Sequence, residues 1–170
     1  MNQASPSTDR VSIFLGVSGD RSMLMATEVR EWLYKLFPKA IRVWTALDID
    51  HRDGWFQELI LNLERCDIAI MCVTRESAFS RWLNFEAGFT HAARSRCRMV
   101  PLLLEDTDDA EGFDLVTTLG NKSPLKELHV ERVDKTAAWK IVAHIVNLLN
   151  GRIEIAPAPS TNISRACGAA

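Results

Sequence analysis

Apolar residues in this chain fall into short continuous runs separated by longer stretches with helical spacing. Val11-Ser-Ile-Phe-Leu-Gly-Val17 is a β-branched and apolar run that stops at Ser18-Gly19-Asp20, which predicts a strand followed by a turn. From Arg21 to Phe37 the apolar positions Met25, Val29, Trp32, Leu33 and Leu36 recur with helical period, and Pro38 marks the stop. Ile41 to Trp44 predicts a second strand. Thr45 to Gly54 is a polar, acid-rich loop, and Trp55 to Arg65 is a second amphipathic helix with Leu59, Ile60 and Leu63 facing inward. Asp67-Ile-Ala-Ile-Met-Cys-Val73 is nearly all apolar, the pattern of a strand covered on both faces. Thr74 to Ser80 is a polar connection into a helix running to Arg96, and Met99-Val-Pro-Leu-Leu-Leu104 is a fourth strand. Glu105 to Asn121 is acidic and irregular. A short strand over Leu128–Arg132 precedes a helix from Lys135 to Asn150, with Asp134 as its N-cap and Gly151 just past its end.

Strands alternating with helices require parallel pairing and crossover connections. The expected fold class is α/β: a flavodoxin-like three-layer domain whose five-stranded parallel sheet, in order 2-1-3-4-5, is flanked by helices. The division expected along the chain is a flexible leader at 1–10, the domain at 11–150, and a linker or tail at 151–170. That tail contains Ala156-Pro-Ala-Pro-Ser-Thr and could lead to a missing sensor domain. Ligands of such sheets bind beyond the carboxyl ends of the strands. Chemistry is therefore expected in segments 18–21, 45–55, 74–86 and 105–121.

Composition narrows the function classes. Hydrophobic residues make up 47% and charged residues 25%, the balance of a globular domain. A formal net charge of -2 gives no electrostatic reason to expect nucleic acid as a partner. No apolar run approaches the roughly 20 residues that span a bilayer, and Met1 to Arg10 lacks the layout of a signal peptide. The four cysteines, Cys66, Cys72, Cys97 and Cys167, are widely spread without a CxxC pair. A disulfide framework or a metal site is not expected, and the reducing cytoplasm is the expected compartment. His51, His91, His129 and His144 do not fall at metal-ligand spacing either.

One carboxylate breaks the helical pattern. At 100° per residue along 81–96, Phe85, Phe89, Trp82, Ala93 and Leu83 share an arc with Glu86 in its middle, while Asn84, Gly88 and His91 lie opposite. Trp82 and Glu86 are also i and i+4 neighbours. A carboxylate in such a stripe must be paired, protonated or exposed in a cleft, because an unpaired buried charge is costly. A salt-bridged glutamate at the mouth of the core is the ordinary reading, a functional acid the other, and both stand at this point.

Ser80-Arg-Trp82-Leu-Asn-Phe-Glu86-Ala-Gly88 resembles the serine, tryptophan and glutamate signature of Toll/interleukin-1 receptor (TIR) domains, especially the bacterial branch with NAD-cleaving activity. Ile13-Phe-Leu-Gly-Val-Ser18-Gly-Asp20 resembles the family's first strand and its serine-containing turn. Asp48-Ile-Asp-His-Arg-Asp-Gly54-Trp55 resembles the loop after the second strand, and Cys66-Asp-Ile-Ala-Ile-Met-Cys-Val-Thr74 the third strand and its exit. The pieces occur in order across residues 11–150, and their strength lies in the set rather than in any one of them.

The resemblance implies an NAD+ glycohydrolase with Glu86 as the catalytic residue. It would give nicotinamide and ADP-ribose or a cyclic isomer, as an effector of bacterial antiviral defence activated by self-assembly. NAD+ would be the substrate, with no separate cofactor. One carboxylate is chemically sufficient: nicotinamide leaves as a neutral molecule, so no general acid is needed, while positive charge develops on the ribose. Ser18, Asp20 and Arg21 are candidate contacts for ribose or pyrophosphate near a helix start, although Asp20 could simply cap that helix. Asp48, Trp55, Thr74 and Trp82 complete the candidate substrate-binding set. Ser77 or Ser80 is expected to cap the third helix, and Cys72 to be a small buried residue. Two alternatives stay open: a non-catalytic TIR interaction module, and a nucleoside deoxyribosyltransferase-like enzyme that also sets a carboxylate against a ribose.

Overall fold

In the computed structural model, which describes residues 10–50, 52–92, 97–103, 131–132 and 135–152, the short apolar runs form four strands. These are β1 (Val11–Gly16), β2 (Ile41–Trp44), β3 (Ile68–Val73) and β4 (Arg98–Leu103). The stretches with helical spacing form α1 (Asp20–Leu36), α2 (Trp55–Glu64), α3 (Arg81–Ala92) and α4 (Lys135–Arg152). All strand pairings are parallel: β1 lies between β2 and β3, and β4 pairs with the outer side of β3. The two residues Glu131–Arg132 form β5 beside β4. The expected α/β class, a parallel sheet flanked by helices, is what the chain adopts. The leader, the acidic segment 105–121, residues 128–130 of the expected last strand, Asp134, and the tail from 153 lie outside the described residues.

Side chains alternate across the sheet, so each buried strand feeds two cores. Ile13, Leu15, Ile68, Ile70 and Cys72 pack with Met25, Ala26 and Leu33 of α1 and Ile141, Ile145 and Leu149 of α4. Phe14, Ala69, Met71 and Val73 pack on the other face with Leu59 and Leu63 of α2 and Leu83 and Ala87 of α3. Every residue of β3 is buried, as its uninterrupted apolar run predicts. Polar groups fasten one edge of the sheet. The Ser12 amide donates to the Asp67 carboxylate at 2.7 Å, and the Arg98 amide donates to the Asp67 carbonyl at 2.9 Å.

Three local expectations change. Leu36 is 48% exposed although it shares the helical spacing of the buried Leu33. Helix α4 runs through Gly151 to Arg152 instead of stopping at Asn150, so Gly151 acts as a helical residue and not as a terminator. Gly19, not Asp20, occupies the N-cap of α1, with φ 84° and ψ 164°, and Asp20 is the first helical residue. An aspartate there cannot cap its own helix from within it, whereas the cap position demands a backbone that only glycine adopts freely.

Nothing lies within 4 Å of a Cβ built on Gly19, so a substitution there meets backbone strain and no steric clash. Gly19→Ala is expected to destabilise the domain by about 1–3 kcal/mol, read as a lower urea midpoint at unchanged m value.

Candidate functional site

The carboxyl ends of β1 and β3 are tied together by two serines. The Ser22 hydroxyl, buried in the first turn of α1, donates to the Cys72 carbonyl at 2.7 Å, and the Ser18 amide donates to the Ser22 hydroxyl at 3.1 Å. The buried Ser77 hydroxyl reaches the same Cys72 carbonyl at 3.5 Å and accepts the Thr74 amide at 2.8 Å, while the Ser77 amide donates to the Thr74 hydroxyl at 3.2 Å. Segments 18–22 and 72–77, far apart in sequence, thus meet at one carbonyl. Ser77 serves this turn, and Ser80 caps α3 by accepting the Leu83 amide at 3.3 Å, as expected of a residue just before a helix. Ser22 was not singled out from sequence, because a lone serine inside a helical stretch carries no signal of a partner fifty residues away.

Helix α3 places Glu86 differently from the arc drawn on the sequence. Its buried positions are Leu83, Glu86, Ala87 and Thr90, and Phe85 is 36% exposed. Small residues such as Ala87 and Thr90 let the helix lie close to the sheet, so the large rings are displaced to one flank. There Trp82 sits 5.6 Å from Phe85, Phe85 lies 6.3 Å from Phe89, and α2 contributes Trp55, 5.8 Å from Trp82, and Phe56, 5.7 Å from Phe85. At 100° per residue, Glu86 falls at the seam between the sheet-facing stripe and this aromatic flank.

Glu86 is only 1% exposed. Its Oε2 has no hydrogen-bond partner among the described residues. Burial pushes the carboxyl up to about 8, and a hydrogen bond from the Trp82 side chain only partly offsets the shift. Because the indole N–H is Trp82's only donor, the i, i+4 spacing that joins the two residues in sequence also supplies this bond. At neutral pH the carboxyl in this packing is mostly protonated. Of the three ways a glutamate can occupy such a face, burial without an ion-pair partner among the described residues favours protonation.

The other candidate residues divide into two groups. Trp82, hydrogen-bonded to Glu86, and Trp55 come together half-buried, and Trp55 opens α2 at the end of the loop after β2. Thr74 is buried in its turn with Ser77, and Ser18, half-buried, gives its amide to Ser22. Asp20 is exposed and Arg21 half-buried in the first turn of α1. Asp48 is engaged in holding its own loop: Arg30 donates to Oδ2 at 2.6 Å, and the Thr45 amide donates to the same oxygen at 2.7 Å. Burial alone would raise the Asp48 pKa, but the bonds from Arg30 and Thr45 outweigh it and hold the carboxyl below its ordinary value. Asp48 therefore fixes the 45–49 turn to α1. Cys72 is buried as expected, and burial pushes its thiol up to about 12. Among the described residues no group of three or more His, Cys, Asp or Glu side chains could hold a metal ion, and no helix is long and apolar enough to cross a membrane.

The buried carboxyl links folding to proton uptake. Glu86 holds its proton more tightly folded than unfolded, so stability is greatest below the unfolded pKa of 4.5 and declines as pH rises towards about 8. Glu86→Gln removes this dependence. The variant is expected to melt close to wild type near pH 5 and well above it at pH 8.5, by on the order of a few kcal/mol. Parallel melting curves of the two proteins across this pH range check the sign.

Comparison with curated proteins finds no match. A model of the TIR domain matches residues 25–133, from within α1 to just beyond β5 and more than half of the chain. Asp48, Trp55, Thr74, Trp82 and Glu86 fall inside the matched region, whereas Ser18, Asp20 and Arg21 precede it. The ordered sequence motifs, the parallel α/β sheet and this match agree: the chain belongs to the TIR domain family.

Proposed function

We propose that this TIR domain is an NAD+ glycohydrolase that cleaves the nicotinamide–ribose bond with Glu86 as its essential carboxylate. The observation that carries the reading is the Glu86 carboxyl itself. It is buried on the helix that follows the central strand, has an oxygen without a partner among the described residues, and is hydrogen-bonded by Trp82, whose ring packs on Trp55. A structural glutamate in such a place ordinarily has its hydrogen bonds satisfied, since each one missing costs about 1–3 kcal/mol. An acid kept partly unsatisfied is more readily understood as waiting for a ligand.

Ionised Glu86 would lie against the ribose, stabilise the positive charge that develops as neutral nicotinamide departs, and accept hydrogen bonds from the sugar hydroxyls. The indole walls of Trp82 and Trp55 would exclude water and lower the local dielectric. The positive pyridinium ribose of the substrate favours the carboxylate form, countering the effect of burial. At 1% exposure the side chain cannot reach a ligand in the packing described here, so the active form requires displacement of the aromatic flank. Self-association between TIR domains is the event we assign to that displacement, in a flavodoxin-like domain with sheet order 2-1-3-4-5, acting in the cytoplasm as a defence effector. Ser18, Asp20, Arg21 and Thr74 remain proposed substrate contacts, and Asp48 is assigned to holding the loop.

The burial of Glu86 also favours a second reading, an interaction module in which the carboxyl never meets a substrate. Nicotinamide release from NAD+, measured at rising protein concentration, separates the two. The enzyme reading expects release that climbs more steeply than protein concentration and rises with pH up to about 8. Glu86→Gln is expected to lower it by roughly 100-fold or more. Equal release by wild type and variant would remove Glu86 from the mechanism, and no release at any concentration would favour the interaction module.

A further inference from the structure

At the sheet edge where β3 and β4 begin, two cysteines face each other. The Cys97 thiol donates to the Cys66 sulfur with the sulfurs 3.5 Å apart. Cys66 is fully buried just after α2, and its S–H also points to the Ile68 carbonyl at 2.9 Å, which fixes the side chain. Cys97 is half-buried and immediately precedes β4. The surrounding backbone is firmly registered: Ile68 pairs with Arg98, and the Arg98 amide donates to the Asp67 carbonyl at 2.9 Å. Cys97 therefore lies beside Asp67 on an adjacent parallel strand path, with strands roughly 4.8 Å apart, and Cys66 is one residue further on. A disulfide requires sulfurs about 2.05 Å apart, so closing the gap takes side-chain rotation with little backbone movement.

We propose that Cys66 and Cys97 form a dithiol oxidation site that hydroperoxides convert to a disulfide clip between the α2–β3 corner and the start of β4. The half-buried Cys97 is the thiol that meets the oxidant. Its thiolate attacks a peroxide oxygen, the O–O bond breaks, and an alcohol or water leaves, giving a sulfenic acid. The Cys66 sulfur then attacks the Cys97 sulfur, and the hydroxyl departs as water with the Cys66 proton. The two thiols together lose two electrons and two protons, and one hydroperoxide accepts them. Burial and the neighbouring Cys97 raise the Cys66 thiol well above its ordinary value, so Cys66 is not the thiol that reacts first, and its place in contact with Cys97 makes it the resolving one. Cys72 lies at the far end of β3, roughly 20 Å along the chain, and cannot compete. The site is remote from the strand ends that carry the proposed NAD+ chemistry and stands independently of it.

The test treats the full chain, and a Cys167→Ser form of it, with excess hydrogen peroxide, followed by non-reducing peptide mass spectrometry and thermal melting. The proposal expects a monomer 2 Da lighter, a cross-linked peptide pair containing Cys66 and Cys97, and reversal by dithiothreitol. It also expects Tm to rise by about 4 °C or more, because the bond closes a loop of about 30 residues. Cys97→Ser, at the half-buried position where folding is least at risk, should lose both the cross-link and the rise in Tm. Oxidation of Cys97 to sulfinic or sulfonic acid with Cys66 still a thiol would overturn the proposal. So would cross-links only between molecules, or a disulfide that lowers Tm.

Discussion

Strand β3 is the constraint around which the rest of the chain is arranged. Its six residues are buried on both faces, so its backbone groups must be satisfied by neighbouring strands and its side chains by two separate helical layers. That requirement places β1 and β4 on either side of it and divides the helices, with α1 and α4 on one face and α2 and α3 on the other. It also forces the polar connections out at the strand ends. At the carboxyl end the Cys72 carbonyl collects the Ser22 and Ser77 hydroxyls, and at the other end Asp67 joins β1 to β4.

Helix α3 follows from the same constraint and bears its cost. To lie close to β3 it turns small residues, Ala87 and Thr90, inward, and Glu86 is carried under with them. Burial then favours the protonated acid, and the only offset from a side chain is the bond from Trp82. A hydrophobic residue of similar volume at this position would remove this penalty. The aromatic flank beside Glu86 is held by ring contacts worth about 0.5–1.5 kcal/mol each beyond the area they bury. The 45–49 turn is held to α1 through Arg30, Thr45 and Asp48.

Local pattern was sufficient for the elements and their class. The apolar run over 68–73, the helical spacing in 21–37 and 55–65, and the capping serine at 80 each specify a local structure through residues close in sequence, and each formed within a residue or two of where it was expected. Helix ends were less legible. Gly19 and Gly151 look alike as glycines, but one sits at a positive φ before a helix and the other continues one, and only neighbouring packing separates the two uses.

Glu86 was legible as an anomaly because Trp82 and the apolar positions around it lie within one helix, where spacing alone fixes which residues share a face. Its state was not. Whether that face opens on a cleft, meets a cation or closes under rings depends on α2, the sheet and the depth of packing, none of which is encoded in residues 81–92. The same limit applies to Asp48, whose partner Arg30 lies on another helix, and to Ser22 and the Cys66–Cys97 pair, whose partners come from other strands and helices. Sequence by itself determined the periodicities, the element types and the motif order, because these are set by neighbours along the chain. Only the tertiary structure decided which polar groups find partners and which, like the Glu86 Oε2, find none among the described residues, because burial and hydrogen bonding are properties of what the fold brings together.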